Sequence, residues 1–140
     1  MINIEKIEID VANQGHITNC YLVYDENKEA ILIDPAYNSN AIISKIVNLG
    51  LTLKYIVITH AHGDHIGALE ELVNYAKAKV IINKNDYNML IGKEENYCDM
   101  LFVKQPNLNV DFIIPVEDGY SFNVGSLEFE TINTKGHSSR

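Results

Sequence analysis

Within the first 35 residues, apolar and polar positions alternate most clearly over residues 2–10, with the two-residue period that is typical of β-strands. Residues 2–10 carry isoleucine at nearly every second position and predict the first strand. The segments ITNCYLVYD (17–25) and EAILIDP (29–35) predict two more strands, and DENK between them predicts a turn. The chain therefore begins with strands, two of which form a hairpin.

The middle of the chain changes between helical and extended patterns. Residues 38–50 and 66–77 place apolar side chains at helical spacing and predict two helices. The almost uninterrupted apolar run LKYIVIT (53–59) predicts a strand covered on both faces, and KVIIN (79–83) predicts a shorter one. Strands that alternate with helices favour an α/β layered architecture, here in one domain that covers residues 1–140.

The last part of the chain has weaker patterns. Residues 84–111 predict short helical pieces and loops, whereas residues 121–133 alternate around Val-Gly-Ser and predict a hairpin. Five large side chains of the first segment could contact a ligand or fill a small satellite core: Tyr87, Met89, Tyr97, Met100 and Phe102.

Charge and composition exclude several classes of function. The formal net charge is −8 and the single arginine is Arg140, so nucleic acid is disfavoured as the main partner. No apolar run approaches the ~18 residues of a membrane span, and the first residues do not resemble a signal peptide. We therefore expect a cytoplasmic protein with a small-molecule substrate. Cys20 and Cys98 form no CxxC motif, and we expect both to be small buried side chains.

Candidate chemistry is concentrated in THAHGDHIG (59–67), where three histidines and an aspartate lie within six positions. His60 and His62 are separated by one residue, so in a loop both imidazoles can point at one centre. Asp64 and His65 follow directly, between a predicted strand and a predicted helix, which is a usual place for a site in an α/β protein. Imidazole is the commonest zinc ligand, so the segment predicts a metal site. The remaining histidine upstream, His16 in NQGHITN, is expected to be an ordinary loop residue.

THAHGDHIG resembles the HxHxDH signature of the metallo-β-lactamase superfamily. TNCYLVYDENKEAILIDPA is similar to the strand pair that opens these domains, and TKGHSSR resembles their later GH loop. The compact spacing and the NCYLV opening are most similar to glyoxalase II-like (hydroxyacylglutathione hydrolase-like) enzymes. The resemblance implies an αββα sandwich, with a mixed sheet, flanking helices and a second sheet that is incomplete in this chain.

The resemblance also implies roles for individual residues. His60, His62 and His137 would bind one metal ion, and Asp64 and His65 would bind a second. Asp34 would not bind metal itself but would hold the metal-binding loop in place. This role is close to that of a buried carboxylate that caps a turn. Asp64 would also orient the attacking water. The expected cofactor is zinc, with up to two ions in the complete protein, although iron is an alternative.

The activity implied is metal-dependent hydrolysis of a thioester or ester-like carbonyl. Alternatives on the same fold are an iron-dependent persulfide dioxygenase, a lactonase and a β-lactamase. The bridging aspartate and the further histidine of the family pattern are not found after His137, so we expect the chain to be the N-terminal half to two-thirds of a longer hydrolase. As a fragment it would have weak or no activity, and it could self-associate or pair with the missing segment as a non-catalytic half-domain.

Overall fold

A computed structural model describes residues 2–132 of the chain, which form a mixed α/β fold. The eight strands are β1 (Asn3–Val11), β2 (His16–Tyr24), β3 (Glu29–Ile33), β4 (Thr52–Ile58), β5 (Lys79–Asn83), β6 (Ile113–Val116), β7 (Ser121–Val124) and β8 (Leu127–Glu130). The four α-helices are α1 (Ser39–Leu49), α2 (Gly63–Ile66), α3 (Leu69–Ala76) and α4 (Tyr87–Leu90). Two 3-10 turns cover Lys84–Asp86 and Val110–Phe112.

The first six strands form one sheet in chain order, and β7 with β8 forms a second, two-stranded sheet. β1, β2 and β3 pair antiparallel, whereas β3, β4, β5 and β6 pair parallel. The carboxyl ends of the four parallel strands therefore lie at one edge of the large sheet. Because β2 runs against β3, the start of β2 lies at this same edge. We call this the site edge.

One face of the large sheet packs against α1 and α3. Buried side chains from both helices and from the strands form the larger core cluster, which includes Ile42, Ile46, Ile56, Leu69 and Leu72. The predicted helix over 38–50 is confirmed with its caps, since Asn38 accepts the N–H of Ala41 and Gly50 ends α1 in a left-handed conformation. Burial of these large aliphatic side chains contributes roughly 1.5–3 kcal/mol each.

The opposite face of the large sheet packs against the β7–β8 hairpin. Phe122 and Val124 of the hairpin join Val23, Ile31 and Ile81 in the second core cluster. β4 contributes to both clusters, which confirms the prediction that this strand is covered on both faces. A cavity of about 330 Å³ remains between the two sheets. The mixed sheet, its flanking helices and the incomplete second sheet that the resemblance implies are thus present, and the second sheet has two strands among residues 2–132.

A buried carboxylate connects the two sheets. Asp25, at the end of β2, accepts the backbone N–H of Ser126 in the β7–β8 turn at 2.8 Å. Its other oxygen accepts the N–H groups of Asn27 and Glu29. Gly125 lies so close that a Cβ there would be 2.0 Å from Oδ2 of Asp25. Asp25 therefore shapes the DENK turn and fixes the hairpin to the large sheet at the same time.

The helix predicted over residues 66–77 is present as α3, but it begins three residues later than predicted, because a break separates it from the short α2. At the break, the N–H groups of Gly67 and Ala68 donate to the carbonyls of Ala36 and Pro35 instead of to the preceding turn. A Cβ at Gly67 would lie 2.3 Å from the Ala36 oxygen, so only glycine allows this approach.

The other strands of the sequence prediction are confirmed, but β6 was not predicted. Its short run IIPV contains Pro115, which is compatible with an edge strand. Both cysteines are free and buried, as expected. Burial, with a smaller contribution from the charge of Asp34, raises the pKa of Cys20 to about 12. Within residues 2–132 no helix has the length and apolar character required to cross a membrane.

Candidate metal centre

The histidine-rich segment begins where β4 ends at the site edge. β4 stops at Ile58, and residues 59–62 lead as a loop into α2, whose four residues include Asp64 and His65. The buried β4 is held between β3 and β5, so it fixes the start of this loop. The end of β3 is adjacent and is followed directly by Asp34.

Three of the predicted ligands converge. One ligand atom each from His60, His62 and Asp64 lies within 4.8 Å of the other two. Two donors at ~2.1 Å from a shared zinc ion are at most ~4.2 Å apart, so small side-chain movements would complete such a site. The imidazole rings of His60 and His62 meet edge to face, with centroids 4.9 Å apart. The residues present therefore fit a divalent metal ion with nitrogen and oxygen ligands.

His65 lies beside this group and is oriented from behind by Asp34. The Nδ1 atom of His65 donates to Oδ2 of Asp34 at 2.8 Å, and Nε2 lies 3.6 Å from Oδ2 of Asp64. Asp34 also accepts the backbone N–H and the hydroxyl of Thr59. It is buried and adopts a left-handed φ of 55°. A buried carboxylate in a strained conformation thus connects the loop after β4 to α2.

Local electrostatics favour the charged forms of Asp64 and His65. Burial by itself would lower the pKa of His65, but the hydrogen bond to Asp34 and the charges of Asp34 and Asp64 outweigh it, so the pKa is raised above 6.5. Burial would likewise raise the pKa of Asp64. The hydrogen bond from His16 and the charges of His65 and His16 outweigh this effect, so the pKa of Asp64 is lowered below 3.8. An ionised Asp64 is the form that can bind a cation or accept a proton.

The prediction that His16 is an ordinary loop residue is wrong. His16 is the first residue of β2, and its Nε2 atom lies 2.9 Å from Oδ2 of Asp64. The reason is topological, because β2 is antiparallel to β3 and therefore starts at the site edge. The sequence did contain a signal, since alternation in the segment puts His16 on the same face of the strand as Thr18 and Cys20.

A second group that sequence reasoning missed supports α2 from the side. The N–H of Gly63 donates to the carbonyl of Asn96 at 2.6 Å, and a Cβ at Gly63 would lie 2.9 Å from the Cα of Cys98. Asn96 is buried and its side chain donates to Met89 and Gln105, which organises the loop that follows α4. The Gly in the signature thus provides room for this loop.

The five large side chains after residue 84 have different environments. Tyr97 is exposed and meets the ring of His62 edge to face at 5.2 Å between centroids. Met100 and Phe102 are exposed as well, whereas Met89 is buried and Tyr87 packs against the larger core. Of these five, Tyr97 is the one whose ring contact places it beside the candidate metal centre.

His137 lies outside the described residues, so its place in the site stays a prediction. The assignment of His60 and His62 to one ion, and of Asp64 and His65 to another, also stays a prediction. Within residues 2–132, Asp64 is close enough to His60 and His62 to join them around a single centre.

A family model described as the metallo-beta-lactamase superfamily matches residues 13–139. The chain belongs to the metallo-β-lactamase superfamily. In this superfamily member the HxHxDH segment lies at the site edge, where the candidate metal ligands His60, His62 and Asp64 converge.

Comparisons with individual proteins agree with this membership. The superfamily member is 28% identical over 147 residues to hydroxyacylglutathione hydrolase GloC of Haemophilus influenzae, and the match covers 97% of the chain and 62% of that protein. It superimposes on the crystal structure of BLEG-1 B3 metallo-beta-lactamase with a TM-score of 0.81 and 27% identity, covering 97% of the chain and 63% of BLEG-1. It also matches TTHA1623 in a di-iron-bound form, with a TM-score of 0.62 and 29% identity over 73% of the chain and 50% of TTHA1623.

The chain spans less than two thirds of the length of each of these three proteins.

Proposed function

We propose that this protein is a metal-dependent hydrolase that acts on a thioester or ester-like carbonyl. The observation that carries the proposal is the convergence of His60, His62 and Asp64 to within 4.8 Å at the site edge of a metallo-β-lactamase domain. Net charge supports a small-molecule substrate in preference to nucleic acid, because −8 opposes binding to phosphate backbones.

For the metal we propose zinc, with up to two ions. His60, His62 and His137 would hold one ion, and Asp64 and His65 would hold the other. Imidazole and carboxylate ligands suit zinc, but they also suit iron, and TTHA1623 binds two irons. Metal analysis of protein purified without added metal tests this choice, since zinc supports a hydrolase and a single iron per chain supports the persulfide dioxygenase alternative.

When bound, the metal would supply Lewis-acid activation of water and of the substrate carbonyl. The protein residues supply orientation and proton transfer. Ionised Asp64 would orient the attacking water and accept its proton. Asp34 would keep His65 in the tautomer with hydrogen on Nδ1, because its carboxylate accepts that hydrogen, so that Nε2 of His65 faces Asp64.

A thioester is the first substrate class to test, and its support is the similarity to hydroxyacylglutathione hydrolase GloC. A β-lactam is the second, and its support is the superposition on BLEG-1. Exposed Tyr97 next to His62 would provide an apolar wall for either substrate.

The test is a substrate panel on the zinc-loaded chain, with a glutathione thioester, a lactone and a chromogenic cephalosporin. Because the chain spans only part of the length of its relatives, we expect at most weak hydrolysis of the thioester, and loss of that activity in H62A. Hydrolysis of the cephalosporin alone would favour the β-lactamase alternative. Tight zinc binding without turnover of any member of the panel would instead favour a non-catalytic domain that self-associates or pairs with another polypeptide, which size-exclusion chromatography would detect.

A further inference from the structure

The carboxylate of Asp64 is held from the side by two residues of one strand. Nε2 of His16 lies 2.9 Å from Oδ2 of Asp64, and the hydroxyl of Thr18 lies 3.4 Å from the same oxygen. These residues are 48 and 46 positions away from Asp64 in the chain. Two donors on one oxygen fix the rotation of the carboxylate about its bond to Cβ.

The arrangement of β2 makes this contact a property of the fold. His16 and Thr18 are two positions apart in a strand, so their side chains leave the same face. Ladder pairs with β1 on one side and β3 on the other fix the strand, and Val11 lies opposite His16. The turn before the strand is shaped by Asp10, which accepts the N–H of Gly15 at 2.7 Å.

We propose that His16, assisted by Thr18, is a positioning residue that holds Asp64 in the orientation it needs for binding metal and for accepting a proton. The inference rests on the proposed function, since it assigns a role through Asp64. An ionised carboxylate only accepts hydrogen bonds, so the Nε2 atom of His16 carries the hydrogen and is not itself a metal ligand in this arrangement. Removal of a hydrogen-bond partner behind a metal ligand typically weakens metal affinity by about 10–100-fold.

The experiment is calorimetric titration of the metal-free 140-residue chain with zinc alone. We expect H16A to bind zinc about 10-fold more weakly than the unsubstituted chain. H16Q should recover most of the affinity, because the amide nitrogen of Gln can occupy the place of Nε2. T18V should have a smaller effect, because the Thr18 contact is longer. I17A is the matched control, since Ile17 is exposed and its side chain leaves the opposite face of β2, and it should bind zinc normally.

A double-mutant cycle separates positioning from a general structural effect. If His16 acts through Asp64, adding H16A to D64A should cause no further loss of zinc affinity. If H16A lowered zinc affinity by the same factor in the wild-type and in the D64A background, the proposal would be overturned. Wild-type zinc affinity in the H16A single variant would overturn it as well.

Cobalt absorption spectra provide a readout that distinguishes positioning from direct ligation. The spectrum of cobalt-loaded H16A should keep its shape, because the ligands are unchanged. A changed spectrum that H16Q does not restore would show His16 to be a ligand and overturn the positioning role. Failure of the unsubstituted chain to bind zinc or cobalt would instead overturn the proposed function and this inference together.

Discussion

Nδ1 of His65 donates a 2.8 Å hydrogen bond to Oδ2 of Asp34, a residue that lies 31 positions earlier in the chain. Because Asp34 also accepts two hydrogen bonds from Thr59, one buried carboxylate fixes both ends of the histidine-rich segment. The ligand residues between these two contacts are therefore ordered before any metal binds. Such preorganisation reduces the entropy that metal binding must overcome.

The first prediction concerns this contact. Asp34→Asn replaces one carboxylate oxygen by an NH₂ group. The side chain can then no longer accept the hydrogen bonds of both Thr59 and His65. We expect zinc affinity to fall about 10–100-fold, because the orientation of His65 is no longer fixed. Calorimetric titration with zinc measures the loss, and circular dichroism checks that the fold is retained. Asp111→Asn, at an exposed position outside the site, is the matched control and should bind zinc normally. Equal affinities for the two variants would contradict the role of Asp34.

The second prediction concerns the proposed proton acceptor. Asp64→Asn keeps the size of the side chain but removes the carboxylate that takes the proton from water. We expect kcat for the substrate found in the panel to fall about 10²–10⁴-fold. His60 and His62 are unchanged, so zinc should still be detected by metal analysis. An unaltered kcat in this variant would exclude Asp64 as the base, and the Asp111→Asn variant again provides the control.

The third prediction concerns the junction of the two sheets. Gly125→Ala would place a Cβ 2.0 Å from Oδ2 of Asp25, so the β7–β8 turn must move away from the large sheet. We expect a destabilisation of more than ~1 kcal/mol in urea unfolding. Gly50→Ala is a suitable control, because Gly50 has a similar positive φ but nothing within 4 Å of the position that its added methyl group would take. If both variants lost the same stability, backbone conformation and not the contact with Asp25 would be the cause.

The fourth prediction concerns the pH dependence of stability. The N–H of Ser126, followed by those of Glu29 and Asn27, lowers the pKa of Asp25 below its ordinary value of 3.8. A carboxyl with a lowered pKa in the folded state stabilises the fold above the unfolded-state value, and this stabilisation is lost as the pH falls through the folded-state value. The free energy of unfolding, measured with urea at a series of pH values from about 6 downwards, should therefore fall more steeply below about pH 4 for the wild type than for Asp25→Asn. Parallel profiles for the two proteins would show that Asp25 does not contribute.

The sequence predicted most of the secondary structure, because apolar periodicity is a local property. Alternation identified the strands of the first hairpin, and the capped pattern of residues 38–50 identified α1. The break between α2 and α3 was not predictable in this way. It depends on the carbonyls of Pro35 and Ala36, which come from another loop and accept the N–H groups that a continuous helix would use.

For the candidate site, the sequence by itself determined the residue types that can bind a metal, because His60, His62, Asp64 and His65 are neighbours in the chain. Short spacing forces them to remain close in any fold that keeps this segment ordered. The tertiary structure alone decided which distant residues support them. His16 reaches Asp64 only because an antiparallel strand starts where the parallel strands end, and Asp34 reaches His65 only because β3 and β4 are adjacent. Pairing of strands is a long-range property, so the local pattern could not reveal these contacts, and only the family resemblance implied the role of Asp34.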